Sequence, residues 1–413
     1  MSQLSCCHLF FRIVYSSLLG AGSLLLFIAG NVNAAEWSLN SNIQARYEYN
    51  DNIFLTLQPH ESVSNVVIQP DIKFRAEEKN WVTMLEARLR SNNYSDSNLD
   101  SHNQHYLADG SYKRERDTYS IKGSYDLNSS LDIESNDFGL SRVRVNRTTT
   151  NISPSYSRML TERLLVSLGY TIMESKYDDS VSTDFVSYEA EIASASLAYN
   201  LSERDKFNTS VQYTDYMSLN GLSEYQLLTS RMGLSRNFAE NFTADFQIGT
   251  SVRDAINRST STIDFFGTTI SLVQESVSSN RGYVLDAGFV YKSDEWAFSG
   301  RLGRDNVTNS YGGVNEADTL KFDYNRRLTD RWGYGLIGKY EKTEAIISSI
   351  SFSDSRSLTV NASINYALAM DWKITASWRY LEREFTTQNQ TNVPRSNTIY
   401  LGMTYNFSEV STF

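Results

Sequence analysis

Apolar and polar residues alternate one by one over most of this chain. Between residues 371 and 381, Trp372, Ile374, Ala376, Trp378 and Tyr380 hold one set of positions, and Lys373, Thr375, Ser377 and Arg379 the other. Successive strand side chains point to opposite faces, so such a run makes an apolar wall backed by a polar one. A helix would repeat every 3.6 residues, which these positions do not. The same alternation recurs over residues 119–127, 242–253, 358–366 and 398–407.

The connections sort into two kinds. Eight tight polar turns can be placed: Glu77-Glu78-Lys79-Asn80, Glu115-Arg116-Asp117, Leu160-Thr161-Glu162-Arg163, Leu201-Ser202-Glu203-Arg204-Asp205, Asn237-Phe238-Ala239-Glu240-Asn241, Ser293-Asp294-Glu295, Leu328-Thr329-Asp330-Arg331 and Ala369-Met370-Asp371. Longer stretches rich in Ser, Asn, Asp and Thr alternate with them, at residues 50–62, 92–103, 175–187, 254–280 and 386–395. Short turns at one end and long loops at the other are the asymmetry of an outer-membrane barrel, with the short turns periplasmic and the long loops extracellular. Eight turns join sixteen strands; one strand before them and one after make eighteen, an even number as bacterial barrels require. The predicted fold is therefore all-β, a single transmembrane antiparallel up-and-down β-barrel of about 18 strands (16–18). The count has this range because residues 254–280 could hold a hairpin of their own. Pro70 and Pro154 fall inside predicted strands, where proline removes a ladder hydrogen bond, so bulges or strand ends are expected there.

A soluble sandwich, propeller or adhesin stack is the competing architecture, but it need not carry such unequal loops at its two ends. The mean hydropathy of −0.40 does not argue against a membrane. A spanning strand needs about 9–11 residues, of which only alternate ones meet lipid. The 26 tyrosines suit a barrel, which places aromatics at both water–lipid boundaries. The pI of about 5.1 argues against nucleic acid as a partner.

Residues 1–34 read as a cleaved signal peptide, leaving residues 35–413 as the barrel domain. Arg12 precedes an apolar core over residues 18–29, and Val32-Asn33-Ala34 offers small residues before a cleavage point. The apolar core is short for a spanning helix. Cys6 and Cys7 both lie in this segment, so the mature chain is expected to lack disulfides, thiol nucleophiles and cysteine metal sites. The expected location is the outer membrane of a Gram-negative bacterium, with outer-membrane lipid and the barrel-assembly machinery as partners.

Catalytic signals are sparse. His60, His102 and His105 fall on or near predicted outer loops without convergent carboxylates. Phosphate-loop, nucleophile-elbow and zinc-helix motifs do not occur. The reading is a non-enzyme without cofactor or metal. The face opposite the apolar wall carries more information. If the apolar residues meet lipid, the lumen receives Lys73, Arg75, Glu86, Arg88, Arg90, Lys122, Asp126, Asp245, Arg253, Asp286, Arg301, Lys321, Asp323, Lys339 and Arg379, together with Asp71. Such charges either pair across strands or set what a pore passes. Sixteen to eighteen strands leave room for an aqueous channel unless a segment folds inward, and residues 254–280 are the candidate constriction.

Just after the first predicted strand comes Tyr47-Glu48-Tyr49-Asn50-Asp51-Asn52-Ile53-Phe54, whose motif-like part is Tyr49, Asp51, Asn52, Ile53 and Phe54. This stretch resembles a family of outer-membrane β-barrel porins encoded with exopolysaccharide and PEP-CTERM loci (β-barrel porin 2 type). The turn phrases Leu-Thr-Glu-Arg, Leu-Ser-Glu-Arg and Leu-Thr-Asp-Arg, and Leu401-Gly402-Met403-Thr404-Tyr405-Asn406-Phe407 near the end, are similar to that family too. The resemblance implies a channel serving export of a secreted polysaccharide, with the polysaccharide and a periplasmic polysaccharide export protein as partners. It supplies no catalytic residues. The chain departs from the usual aromatic end of a last strand, because residues 408–412 follow Phe407 before Phe413. A general diffusion porin and a non-conducting surface-interaction barrel are the alternatives.

Overall fold

Period-two alternation becomes one closed sheet. The computed structural model describes residues 36–58, 60–130, 144–178, 185–265, 268–308, 313–347, 354–387 and 390–412; the signal segment predicted over residues 1–34 lies outside them. The strands are β1 (Glu36–Asn50), β2 (Val63–Glu78), β3 (Trp81–Tyr94), β4 (Ser101–Arg114), β5 (Asp117–Ser129), β6 (Asn146–Met159), β7 (Leu164–Tyr177), β8 (Tyr188–Asn200), β9 (Asp205–Ser218), β10 (Ser223–Ala239), β11 (Phe242–Phe265), β12 (Thr268–Lys292), β13 (Trp296–Thr308), β14 (Val314–Arg327), β15 (Trp332–Ile347), β16 (Asp354–Ala367), β17 (Trp372–Thr387), β18 (Gln390–Asn392), β19 (Arg395–Asn406) and β20 (Val410–Ser411). Eighteen of them form the wall, each antiparallel to its chain neighbours; β18 and β20 are short additions to β17 and β1. The wall closes where β1 meets β19, from Asn42 opposite Asn406 to Asn50 opposite Thr398.

All eight predicted turns join wall strands at the end where β1 begins and β19 finishes. Residues 254–280 hold no separate hairpin. They lengthen β11 and β12, whose pairing continues to Phe265 opposite Thr268, while Phe266 and Gly267 lie outside the described residues. This settles the wall at eighteen strands. The loop expected over residues 92–103 is shorter, because β3 runs to Tyr94 and β4 starts at Ser101.

Both prolines sit within strands rather than ending them. Pro70 is in register with Ile43 on β1, whereas pairing to β3 stops at Ile68 and resumes at Asp71. Pro154 is in register with Ile121, whereas pairing to β7 stops at Ile152 and resumes at Ser155. Each ladder therefore yields only on the side where the ring has replaced the N–H.

The convex face carries the apolar set. Two aromatic rows bound it, and their spacing repeats on separated strands: Tyr291 and Tyr283 on β12, Trp332 and Tyr340 on β15, Trp372 and Tyr380 on β17. Eight residues at about 3.4 Å each span about 27 Å along a strand, or about 21 Å along the axis at a tilt of about 40°. In the lower row neighbouring rings touch, with centroid distances of 4.5 Å for Tyr291–Trp296 and Trp332–Tyr366, and 4.6 Å for Trp372–Tyr405. Charges reappear on the convex face just beyond the upper row, as in the Arg304–Asp318 pair (2.5 Å). Closure gives each wall strand a hydrogen-bonded neighbour on both sides across the apolar band, which is what lets β-structure cross hydrocarbon. The chain is a bacterial outer-membrane β-barrel. Leu302 lies between the rows, in register with Ala287 and Leu320. Leu302→Arg is expected to cost about 2–4 kcal/mol in urea unfolding of the vesicle-inserted barrel. An unchanged midpoint would mean that this face does not meet lipid.

The C-terminal segment stays on the wall. Phe407 N donates to Ser41 O (3.0 Å), β20 lies beside β1, and Thr412 N donates to Trp37 O (3.2 Å). Strand pairing thus continues past Phe407 to Thr412 after a short break.

Candidate functional site: the interior wall and its seam

Contacts that skip strands identify the concave face. Arg231 on β10 donates to both carboxylate oxygens of Asp305 on β13 (2.8 and 2.7 Å), and Arg301 on β13 approaches Asp245 on β11 at 3.8 Å. The register puts Lys73, Arg75, Glu86, Arg88, Arg90, Lys122, Asp126, Asp245, Arg253, Asp286, Arg301, Lys321, Asp323, Lys339 and Arg379 on this same face.

Most of these are held in networks. Arg88 bridges Asp71 (2.8 Å) and Glu86 (2.5 Å), and Lys73 lies 3.5 Å from Glu86. Arg75 pairs with Glu77. Arg90 donates to Asn92 (2.9 Å) and lies 3.7 Å from Glu48. Arg301 Nε donates to Asp286 (2.8 Å), Lys339 pairs with Glu341 (2.6 Å), and Asp323 accepts from Asn325 (2.5 Å). Asp126 binds His105 Nδ1 at 2.5 Å. Among the described residues no ion pair holds Lys122, Lys321 or Arg379. Lys321 stands between Arg301 and Lys339 in register, so three cations line up across β13, β14 and β15.

The Asp51-Asn52 motif closes the barrel seam. Asp51 Oδ1 accepts from Asn397 N (2.7 Å) and Oδ2 from Asn397 Nδ2 (2.9 Å), while Asp51 N donates to Asn397 O (3.1 Å). Asn52 is fully buried. Its Nδ2 donates to Thr56 O (2.8 Å) and Arg395 O (2.9 Å), and its Oδ1 accepts from Thr56 N (3.0 Å). The first loop is thereby fastened to the start of the last wall strand. Ile53 and Leu55, the latter buried with φ 46°, then turn into an interior recess of about 120 Å³.

The element that folds inward is not residues 254–280, where Val273 and Val277 are 65% and 72% exposed, but the end of the β13–β14 hairpin. Pairing between β12 and β13 stops at Leu285 opposite Arg304. Beyond it, β12 continues with β11 alone, and β13 with β14. Thr308 Oγ1 then meets Tyr225 OH on β10 (2.5 Å), and Arg253 on β11 donates to Asn306 (3.3 Å). Val314 is buried with Tyr188, Ala190, Tyr216, Tyr225, Leu227 and Ala255 of β8–β11. The rings of Tyr216 and Tyr225 stack at 4.4 Å, and those of Tyr188 and Tyr216 lie 5.0 Å apart. Opposite Arg231 on β11 is Gly249, where a Cβ would meet Ser230 O at 1.9 Å, so the strands close tightly beneath the Arg231–Asp305 pair. Sequence reasoning missed this platform. Its signal was present, because Tyr177, Tyr188, Tyr216 and Tyr225 occupy the polar phase of four consecutive strands.

The histidines are also placed differently from expectation. His102 and His105 are on β4, not in a loop, and a spacing of three in a strand sends them to opposite faces. His105 joins the interior network, whereas His102 meets Ser91 Oγ on the convex face (3.2 Å). They cannot share a metal ion.

No family model matches the sequence, and no curated protein matches it significantly. Solved structures similar in overall shape include OccK2 (OpdF) of Pseudomonas aeruginosa in complex with glucuronate, at 11% identity over 92% of this chain and 99% of that one, TM-score 0.48. OpdQ of P. aeruginosa is 10% identical over 92% and 99%, TM-score 0.47. OprD of P. aeruginosa is 10% identical over 91% and 96%, TM-score 0.45.

Proposed function

We propose that this protein is a hydrated outer-membrane channel through which a secreted polysaccharide leaves the cell. The observation that carries the reading is the interior wall: a closed ring of eighteen strands lined by charged and polar groups, with Lys122, Lys321 and Arg379 outside any ion pair among the described residues. Strands 4.8 Å apart, tilted by about 40°, enclose a backbone circle of about 18 Å radius. Side chains and the inward β13–β14 end narrow that bore but leave a polar wall along its length. The barrel supplies a path, and synthesis or a periplasmic export protein at the short-turn end supplies direction. The resemblance of the Asp51–Phe54 stretch to polysaccharide-associated porins favours this cargo.

A small-solute diffusion channel is the second reading, favoured by the β13–β14 end docked inside the barrel. Deleting the gene separates the two. Surface polysaccharide should fall and periplasmic polymer rise, with recovery on complementation. Unchanged surface polymer would sink the export reading and leave the diffusion channel.

Lys321, which has no ion pair among the described residues and stands between the ion-paired Arg301 and Lys339, should bias the path toward anions, because uncompensated positive charge in a narrow aqueous passage raises the local concentration of counter-ions. Replacing Lys321→Glu together with Lys339→Glu is expected to move the reversal potential in a salt gradient toward cation selectivity. A reversal potential equal to the wild-type value would remove this row from the conduction path.

A further inference from the structure

Beside the seam, the interior wall holds a recess of about 270 Å³ lined by Gln44, Arg46, Asn361, Thr375, Ser377, Arg379, Tyr400 and Gly402. No carboxylate lines it. The guanidinium of Arg46 and that of Arg379 each lie 5.6 Å from the centre of the Tyr400 ring, so two cations converge on one side chain. Arg46 leans on Glu48, which faces the neighbouring recess, whereas Arg379 has no such partner among the described residues. Three buried polar atoms of its lining stand without hydrogen-bond partners: Arg46 Nε, which is ion-paired with Glu48, Arg379 Nε, a donor, and Asn361 Oδ1, an acceptor; the last two have no ion pair among the described residues either. Asn361 and Arg379 stand directly opposite each other on β16 and β17. Gly402 leaves the space that Arg46 crosses, since a Cβ at this position would meet Arg46 Cβ at 2.9 Å.

A guest that satisfies this wall must offer anionic oxygen to Arg379 and Arg46 and an O–H donor to Asn361. The surrounding Thr375, Ser377 and Gln44 suit further hydroxyls. A carboxylate and a hydroxyl on one small ring meet both needs; a neutral sugar lacks the anion, and a bare anion lacks the donor. We propose that this recess is a binding subsite for a carboxylated sugar, a uronate unit, on the interior wall. The inference rests on the channel reading for its biological sense, but its test does not depend on export.

The full-length barrel, folded in detergent, is titrated calorimetrically with sodium glucuronate, with hexagalacturonate and with glucose. Glucuronate and hexagalacturonate should bind and glucose should not. Arg379→Gln should weaken binding about tenfold or more, as expected for loss of a charge-assisted hydrogen bond. Arg379→Lys should restore part of it, and Asn361→Ala should weaken it by a smaller factor. Folding of each variant is read from the heat-dependent gel shift of the intact barrel, and Arg75→Gln, at an ion pair elsewhere on the wall, serves as the control. Tighter binding of the hexamer than of the monomer would assign the site to a polymer, and equal binding to a small acid; both uphold the subsite. Equal binding of glucose and glucuronate, or full affinity in a folded Arg379→Gln barrel, would overturn it. Because surface polymer in cells is scored separately, failure of the export reading and failure of the subsite are distinguishable.

Discussion

Replacing Asn52 by alanine is expected to destabilise the barrel by about 4 kcal/mol. The side chain is fully buried and bonds three backbone groups: Thr56 N, Thr56 O and Arg395 O. Truncation strands these groups away from water, at about 1–3 kcal/mol each, with partial relaxation reducing the sum. Asn52→Asp should cost at least as much as alanine, because it keeps the acceptor for Thr56 N but sets a buried carboxylate oxygen against Thr56 O and Arg395 O. The measurement is urea unfolding of the barrel in lipid vesicles followed by tryptophan fluorescence, with Trp37, Trp372 and Trp378 close to the seam as reporters. A loss below about 1 kcal/mol for Asn52→Ala would mean that the clasp is not what closes this loop onto β19.

Val314→Asp is expected to release the β13–β14 end from the interior wall. Val314 is 3% exposed among three tyrosines, and an unpaired carboxylate buried there would cost several kcal/mol. Swinging the hairpin end off the β8–β11 wall and out of the lumen, toward the external water, relieves this cost more cheaply than unfolding the wall, because β13 has already parted from β12 beyond Arg304. Arg231–Asp305 and Tyr225–Thr308 would then lose their geometry as well. Single-channel conductance in planar bilayers should rise about twofold or more, with the barrel still folded by its gel shift. A folded variant with wild-type conductance would show that this end does not set the bore.

The wall was legible because period two admits little else. Trp372-Lys373-Ile374-Thr375 can alternate only as a strand, and phrases such as Leu-Thr-Asp-Arg between such runs can only turn. The same logic assigned Arg301, Lys321 and Lys339 to one face, since phase within a strand fixes the side on which a residue stands. Phase says nothing about where a sheet bends. Residues 305–308 and 314–317 lose the alternation of the strands they continue, with Asn306, Thr308 and Glu316 in the outer phase and Val307 and Ala317 in the inner one, but a lost alternation does not say which way a hairpin end leans. Val314 shares one buried cluster with Tyr188 and Tyr216 across several intervening strands, an association that no window of sequence contains. Asp51 and Asn52 were visible as a motif, but their work at the seam depends on Arg395 and Asn397, more than three hundred residues away. His102 and His105 were misplaced because polar residues in the middle of a strand resemble a loop until the partner strand is known.

The eight-residue interval between aromatic rows, repeated on β12, β15 and β17, also sets which bilayer this barrel can enter. A hydrocarbon slab of about 21 Å is thinner than the ~27–30 Å of most membranes, and each ångström of mismatch costs a fraction of a kcal/mol. Inserted in a thicker bilayer, the barrel would have to compress lipid around its whole circumference, whereas a thin one asks for no such deformation. The interval that anchors the folded barrel thus makes a thin bilayer its cheaper host.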